Sequence, residues 1–141
     1  MKYDNVLREI LQSAKTIASV GLSSSPAKES NRIALYLKEQ GYRVIPVNPT
    51  ATEIIGEKSY PDLKSIPEKI DVVQVFRRPE DVPPVVDDAI QVGAKVVWMQ
   101  EGIVHEEAAQ KARQAGLEVV MDACMRATHQ RLMIGPKPIS L

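Results

Sequence analysis

Two short stretches of this chain carry residue types and spacing suited to gripping an anion. The first is "GLSSSPAK", in which Gly21 is followed by Ser23, Ser24 and Ser25, then Pro26 and Lys28. Serine hydroxyls and backbone N–H groups donate to phosphate oxygens, and a helix that starts just beyond such a loop presents its positive end to the same anion. Lys28 adds a full charge. The second stretch is "VFRRPED", with Arg77 and Arg78 adjacent. Guanidinium groups donate in a planar fork that matches phosphate oxygens.

The side chains that could react are few and poorly supported. The single cysteine, Cys124, has no partner for a disulfide or a multi-cysteine metal site, and it reads as a buried, inert hydrophobe. His129, in "RATHQRL", has no acid at a spacing that would orient it as a base, so it reads as packing for the C-terminal tail. His105 opens a helix and faces solvent on this reading. Glu101 is one carboxylate without a partner and specifies no reaction. The serines sit in no G-x-S-x-G elbow. Trp98 reads as packing at a strand end and not as a platform for a base.

The elements that must hold these residues follow from a repeated pattern. "YLKEQGYRVIPV", "AIQVGAKVVWM" and "ARQAGLEVVMD" each join a helix end, a glycine and a β-branched run. Gly41, Gly93 and Gly116 stand where a helix C-terminus takes a left-handed residue. The runs are apolar nearly throughout, as strands covered on both faces are. Strands are predicted near 16–21, 43–47, 71–76, 95–99 and 118–121. Apolar stripes at helical spacing fill the gaps: Val6, Leu7, Ile10, Leu11 and Ala14; Val82, Val85, Val86, Ala89 and Ile90; and Ala108, Ala109, Ala112 and Ala115. Pro83 and Pro84 fit a helix only in its first turn. Residues 50–70 read as a long connection with one short helical turn.

Alternating strands and helices imply an open, doubly wound, mainly parallel sheet of the Rossmann type, with five strands and about four helices, in a single domain spanning 1–141. Ligands of such sheets bind beyond the carboxyl ends of the strands. The "GLSSSPAK" and "VFRRPED" loops both lie there. A dinucleotide site also needs two further glycines and an acid at the end of the second strand. That strand reads "RVIPVNPT" and ends in Asn48 and Pro49, so NAD is disfavoured. Coenzyme A suits the loop better, because its ribose carries a 3′-phosphate that a carboxylate there would repel.

Bulk properties narrow the classes further. Eighteen basic and eighteen acidic residues cancel, which leaves no global field for nucleic acid or an anionic membrane. No apolar run nears the roughly 20 residues that cross a bilayer, and "MKYDNVLREILQSAK" lacks the apolar stretch of a signal peptide. A cytoplasmic location is the expectation.

Together, "VGLSSSPAKESNRIALYLKEQGYRVIPVNPT", "IDVVQVFRRPEDVP" and "GAKVVWMQEGI" resemble the small stand-alone CoA-binding proteins, which are similar to the CoA-binding domain of succinyl-CoA synthetase α subunits. The resemblance runs from about Leu11 to Leu132, and "MQEGI" resembles the "TEGI" of the synthetase domain. It implies a Rossmann-like fold that binds CoA. On this resemblance Gly21, Ser23, Ser24 and Lys28 hold the pyrophosphate region. Val47, Asn48 and Pro49 border the nucleotide, Phe76, Arg77 and Arg78 cover it, and Gln100 and Gly102 lie near the pantetheine path. The family commonly has D-R-C-M where this chain has "DACM", with Ala123 in place of the arginine.

The reading is a non-enzymatic binder of CoA or acyl-CoA that acts as a carrier, buffer or sensor, with or without a protein partner. Two alternatives from another class stand beside it. One is a nicotinamide oxidoreductase, against which the missing glycines and Asn48 count. The other is one component of an acyl-CoA ligase, whose phosphohistidine and nucleotide-grasp domains have no counterpart in these 141 residues. A regulatory module that keeps the fold without the ligand is a third.

Overall fold

The computed structural model describes residues 2–138. Five strands, β1 (Thr16–Val20), β2 (Arg43–Val47), β5 (Val72–Val75), β6 (Val96–Met99) and β7 (Glu118–Val120), form one sheet in the order β2-β1-β5-β6-β7. Every pairing in it is parallel, with Val20 opposite both Val47 and Val75. The predicted strands are all present, within a residue or so of their expected bounds. This is an α/β, Rossmann-like fold.

The pleat sorts the strand residues into two layers. Ala18, Val20, Ile45, Val47, Val73, Val75, Val97 and Met99 point to one face. There α3 (Val82–Gln91) and α4 (Glu106–Gln114) cover them with Val82, Val86, Ala89, Ala108, Ala109 and Ala112. Ile17, Val44, Val72, Val96, Trp98 and Val120 point to the other. There α1 (Lys2–Ser13), α2 (Glu29–Glu39) and α5 (Met125–Arg131) cover them. Pro83 and Pro84 fall in the first turn of α3, where they cost no intrahelical hydrogen bond. Two stripe positions behave differently from expectation. Val6 faces outward over a groove at the amino ends of β6 and β7, and Ala115 is exposed because α4 has already ended at Gln114. Gly41, Gly93 and Gly116 have the left-handed φ that their positions after helices require.

The 50–70 segment contains the expected helical turn, Leu63–Ser65, capped by Asp62, whose Oδ1 accepts from the Ser65 N–H. It also contains a hairpin that its sequence does not advertise: β3 (Glu53–Ile54) pairs antiparallel with β4 (Glu57–Lys58). Ile55 and Gly56, which join them, both have positive φ, 52° and 76°. Such two-residue turns favour Asn-Gly or Asp-Gly, and a β-branched residue in this region is strained. Tertiary contacts hold it there: Lys38 Nζ donates to the Ile55 carbonyl at 2.6 Å, and Lys38 and Arg43 both pair with Glu57. Tyr60 then bridges to Val47 and covers the edge of β2.

His129 packs the C-terminal tail as expected. It is buried between the edges of the Tyr36 and Tyr42 rings, and the Tyr36 hydroxyl lies 2.8 Å from its Nδ1. Beyond α5, Lys137 donates from its backbone to the Gln40 carbonyl at 2.8 Å and from Nζ to the Gln12 carbonyl at 3.1 Å. No helix among the described residues is long and apolar enough to cross a membrane.

Candidate functional site

The chain runs from β1 to β2 on one side and then crosses back to β5 on the other. Strand order therefore reverses between β1 and β5, whose carboxyl ends stay in contact at Gly21 and Phe76 before the two loops part. A cleft of about 510 Å³ opens there. Gly21 has φ +88° and its N–H donates to the Val47 carbonyl at 3.0 Å. A Cβ at this position would lie 2.8 Å from the Phe76 carbonyl oxygen and 3.3 Å from Arg77 Cδ. The glycine thus lets the first and third loops touch.

The serine loop spends much of its polarity on its own shape. The Ser23 N–H donates to Ser30 Oγ, Ser23 Oγ accepts from the Ser25 N–H, and the Ser23 carbonyl accepts from Asn31 Nδ2, at 2.9–3.1 Å. Lys28 takes the cap position of α2 without a side-chain cap, which leaves the first N–H groups of that helix open. Ser24 and Lys28 are exposed. Asn48 is a brace: its Nδ2 donates to the Leu22 carbonyl at 3.0 Å and its Oδ1 accepts from the Thr50 N–H and hydroxyl. No carboxylate ends β2.

The two arginines differ. Arg78 is 75% exposed and pairs with Glu80 at 3.3 Å and Asp81 at 3.1 Å. Arg77 is half-buried in the cleft wall, and among the described residues no acid pairs with it. Glu29, at the start of α2, faces the cleft but is neutralised by Arg32 and by Arg126 of α5. The hydrogen bond from Arg32, helped by the Arg126 charge, holds its carboxyl below the usual range.

The floor of the cleft is polar and ordered. Gln100, 4% exposed, follows β6 directly. Its Oε1 accepts from Gln74 Nε2 at 3.1 Å and from the Met125 N–H at 3.0 Å, and Ser19 Oγ lies 2.6 Å from Gln74 Oε1. Cys124 lines the cleft and is half-buried, so the expectation of a buried thiol is corrected. Trp98 Nε1 donates to the Ala123 carbonyl at 2.8 Å, which ties the residue before the cysteine to the core, and Cys124 then takes the cap position of α5 at the edge of the cleft. Trp98 itself is fully buried in the core, as predicted. His105 is half-buried, and its Nδ1 caps α4 by accepting from the Ala108 N–H at 3.1 Å.

Of the residues singled out in the sequence, Gly21, Phe76, Arg77, Arg78, Gln100, Glu101 and Cys124 line this cleft together, with Glu101 exposed at its rim. Val47 lies with Arg77 in an adjoining groove of about 230 Å³. Ser23, Ser24 and Lys28 form the loop above the cleft without lining it, and Asn48, Pro49 and Gly102 border neither space. The Gly102 N–H instead donates to Asp122 Oδ1 at 2.7 Å. Glu29, Ser30, Ile33 and Ile103 line the cleft although sequence reasoning did not select them. The first three were within reach, because a helix starting after a phosphate-type loop places its first turns over the site.

The family model described as "CoA binding domain" matches residues 15–130. The uncharacterized protein YneT of Bacillus subtilis (strain 168) is 43% identical over 123 residues, which is 87% of this chain and 91% of that protein. A solved structure, a hypothetical protein from Pyrococcus horikoshii OT3, superposes with a TM-score of 0.90 at 45% identity over 92% of each chain. ADP-forming acetate–CoA ligase II of Archaeoglobus fulgidus is 32% identical over 83 residues, 57% of this chain but 12% of the ligase.

Proposed function

Because the chain belongs to the CoA-binding domain family, we propose that it binds coenzyme A or acyl-CoA in the cleft between the first and third loops, as a carrier, buffer or sensor. The observation that carries this reading is Arg77: a half-buried guanidinium, without an acidic partner among the described residues, at the strand-order reversal. A phosphate group there gains a charge-assisted hydrogen bond that no protein carboxylate already occupies. The open N–H groups of α2 add donors from the other wall, and the exposed Lys28 adds a charge from the loop above it. Asn48, committed to Leu22 and Thr50, offers no carboxylate to a ribose diol, which supports CoA over NAD.

Isothermal titration with CoA, acetyl-CoA, 3′-dephospho-CoA, NAD and NADP tests the proposal. CoA is expected to bind more tightly than NAD, and 3′-dephospho-CoA more weakly than CoA. NAD binding as tight as CoA binding would refute it.

The match to an acetate–CoA ligase supports a second reading, in which this chain supplies the CoA site of a ligase whose other parts lie on a partner. Acetyl-CoA formation from acetate, ATP and CoA only when a partner protein is added would favour it. Unaltered CoA binding without turnover, with or without partners, would favour the carrier.

A further inference from the structure

A chain of hydrogen bonds fixes which way one buried amide faces the cleft. The starting point is unambiguous, since the Met125 backbone N–H can only donate. The Gln100 atom 3.0 Å from it is therefore the carbonyl oxygen, Oε1. The Gln74 atom 3.1 Å from that same oxygen must then be the amide nitrogen. Gln74 is left presenting its own oxygen to Ser19, whose hydroxyl donates across 2.6 Å. Ser19 and Gln74 are fully buried, side by side on β1 and β5 in register. Rotating the Gln100 amide by half a turn would set donor against donor, and rotating the Gln74 amide would set its oxygen against the Gln100 oxygen, at a cost of roughly 1–3 kcal/mol for each buried group left unpaired.

The consequence falls on the last group in the relay. Gln100 is 96% buried by complement of its 4% exposure, yet neither hydrogen of its Nε2 has a partner among the described residues. His129 Nε2 is the only fully enclosed side-chain polar atom without a partner among those residues, so the Gln100 nitrogen reaches open space. The space Gln100 lines is the cleft, where Cys124 is its neighbour. An amide donor locked in this direction is matched by an acceptor, and a thiol or thioether is a poor one.

We infer that Gln100 Nε2 donates to a carbonyl oxygen on the thiol arm of the bound ligand, and that Gln74 and Ser19 are positioning residues that fix its orientation. The inference rests on the CoA reading above and deepens it. The carbonyl has two sources, the thioester of an acyl-CoA or an amide of the pantetheine arm.

The test compares CoA, acetyl-CoA and S-ethyl-CoA, which keeps the amides and replaces the thioester carbonyl with a methylene. Wild type is titrated with all three beside Gln100→Glu, Gln100→Met and Ser19→Ala. Gln100→Glu keeps an acceptor for Gln74 and Met125 and removes the donor. Its added charge acts equally on the phosphates that acetyl-CoA and S-ethyl-CoA share, so that part cancels in their affinity ratio, while a carboxylate facing the thioester oxygen lowers the ratio further. If the thioester is read, wild type prefers acetyl-CoA over S-ethyl-CoA by roughly 3- to 10-fold. That ratio falls to about one in Gln100→Met, to one or below in Gln100→Glu, and shrinks in Ser19→Ala, whereas a loss of stability alone would lower both affinities and leave the ratio. If an amide is read, wild type shows no such preference and Gln100→Met weakens all three ligands by a similar factor. Absence of any wild-type preference, with folded Gln100→Met binding all three as wild type does, overturns this inference alone. Should Gln100→Met not fold, a Gln100→Glu ratio equal to that of a discriminating wild type overturns it. Failure of wild type to bind any of the three overturns the CoA reading as well.

Discussion

Replacing Gly21 with alanine tests the claim that the two walls of the cleft are joined at this residue. Two costs are expected, and a second glycine separates them. At φ +88° an alanine pays the left-handed penalty of about 1–2 kcal/mol, partly offset by a stiffer unfolded chain. Gly93, at φ +75°, pays the same penalty with no atom within 4 Å of its added Cβ. At Gly21 the Cβ also meets the Phe76 carbonyl oxygen at 2.8 Å and the carbonyl carbon at 3.1 Å. Both belong to backbone that follows a central strand and cannot swing aside as a side chain does. Overpacking of this kind costs roughly 1–3 kcal/mol. Gly21→Ala is therefore expected to lose about 1–3 kcal/mol more than Gly93→Ala in urea unfolding, or roughly 4–12 °C more in Tm for a chain of this size. CoA affinity should fall with it, because Phe76 and Arg77 must move. If the two variants lose the same stability, the close approach is not a real constraint and the coupling of the loops is refuted.

Other expectations follow from the site and its surroundings. Arg77→Ala should weaken CoA binding by about 10- to 150-fold, the loss of a charge-assisted hydrogen bond to phosphate, whereas Arg78→Ala, already paired with Glu80 and Asp81, should stay within about 3-fold; the reverse order in titration would put the anion elsewhere. Burial, with the nearby Lys137 charge, pulls the His129 pKa below its ordinary value against the opposing effect of the Gly135 backbone. The unfolded chain then takes up a proton before the folded one does, so stability is full above about pH 6.5 and falls as pH drops below it. A His129→Gln variant should show a flatter Tm profile over that window, ahead of the carboxylate losses that begin nearer pH 4, and an unchanged profile would refute the assignment. Cys124→Ser should bind CoA within about twofold of wild type, as expected of a thiol acting as a small apolar surface, and a tenfold loss would show that the sulfur itself is recognised.

The strands β2, β6 and β7 were legible because each β-branched run follows a glycine that ends a helix, so local chemistry and the wanted topology agree at Gly41, Gly93 and Gly116. The position of the site was legible for the same reason, since strand ends locate the loops. The hairpin at 53–58 was not, because Ile55 adopts a conformation its side chain disfavours and is held there by Lys38 from another element. Individual roles within the site were less legible still. The use of Ser23 to build its own loop, the bracing by Asn48 and the need for Gly21 all depend on which groups tertiary structure brings within hydrogen-bond or contact distance. Sequence spacing cannot supply those distances.

The contact between the Trp98 indole and the Ala123 carbonyl gives the molecule an optical property. Trp98 is the only tryptophan, it is fully screened from water, and its N–H is tied to the residue immediately before a cleft-lining side chain. Its emission in the folded chain is thus that of a single fluorophore in an apolar cage, and unfolding shifts it to the red without interference from a second one. Displacement of the Ala123 carbonyl changes the dipole facing the ring nitrogen. A ligand that displaces this carbonyl is expected to change the intrinsic emission of the unlabelled protein, and one that leaves it in place is not.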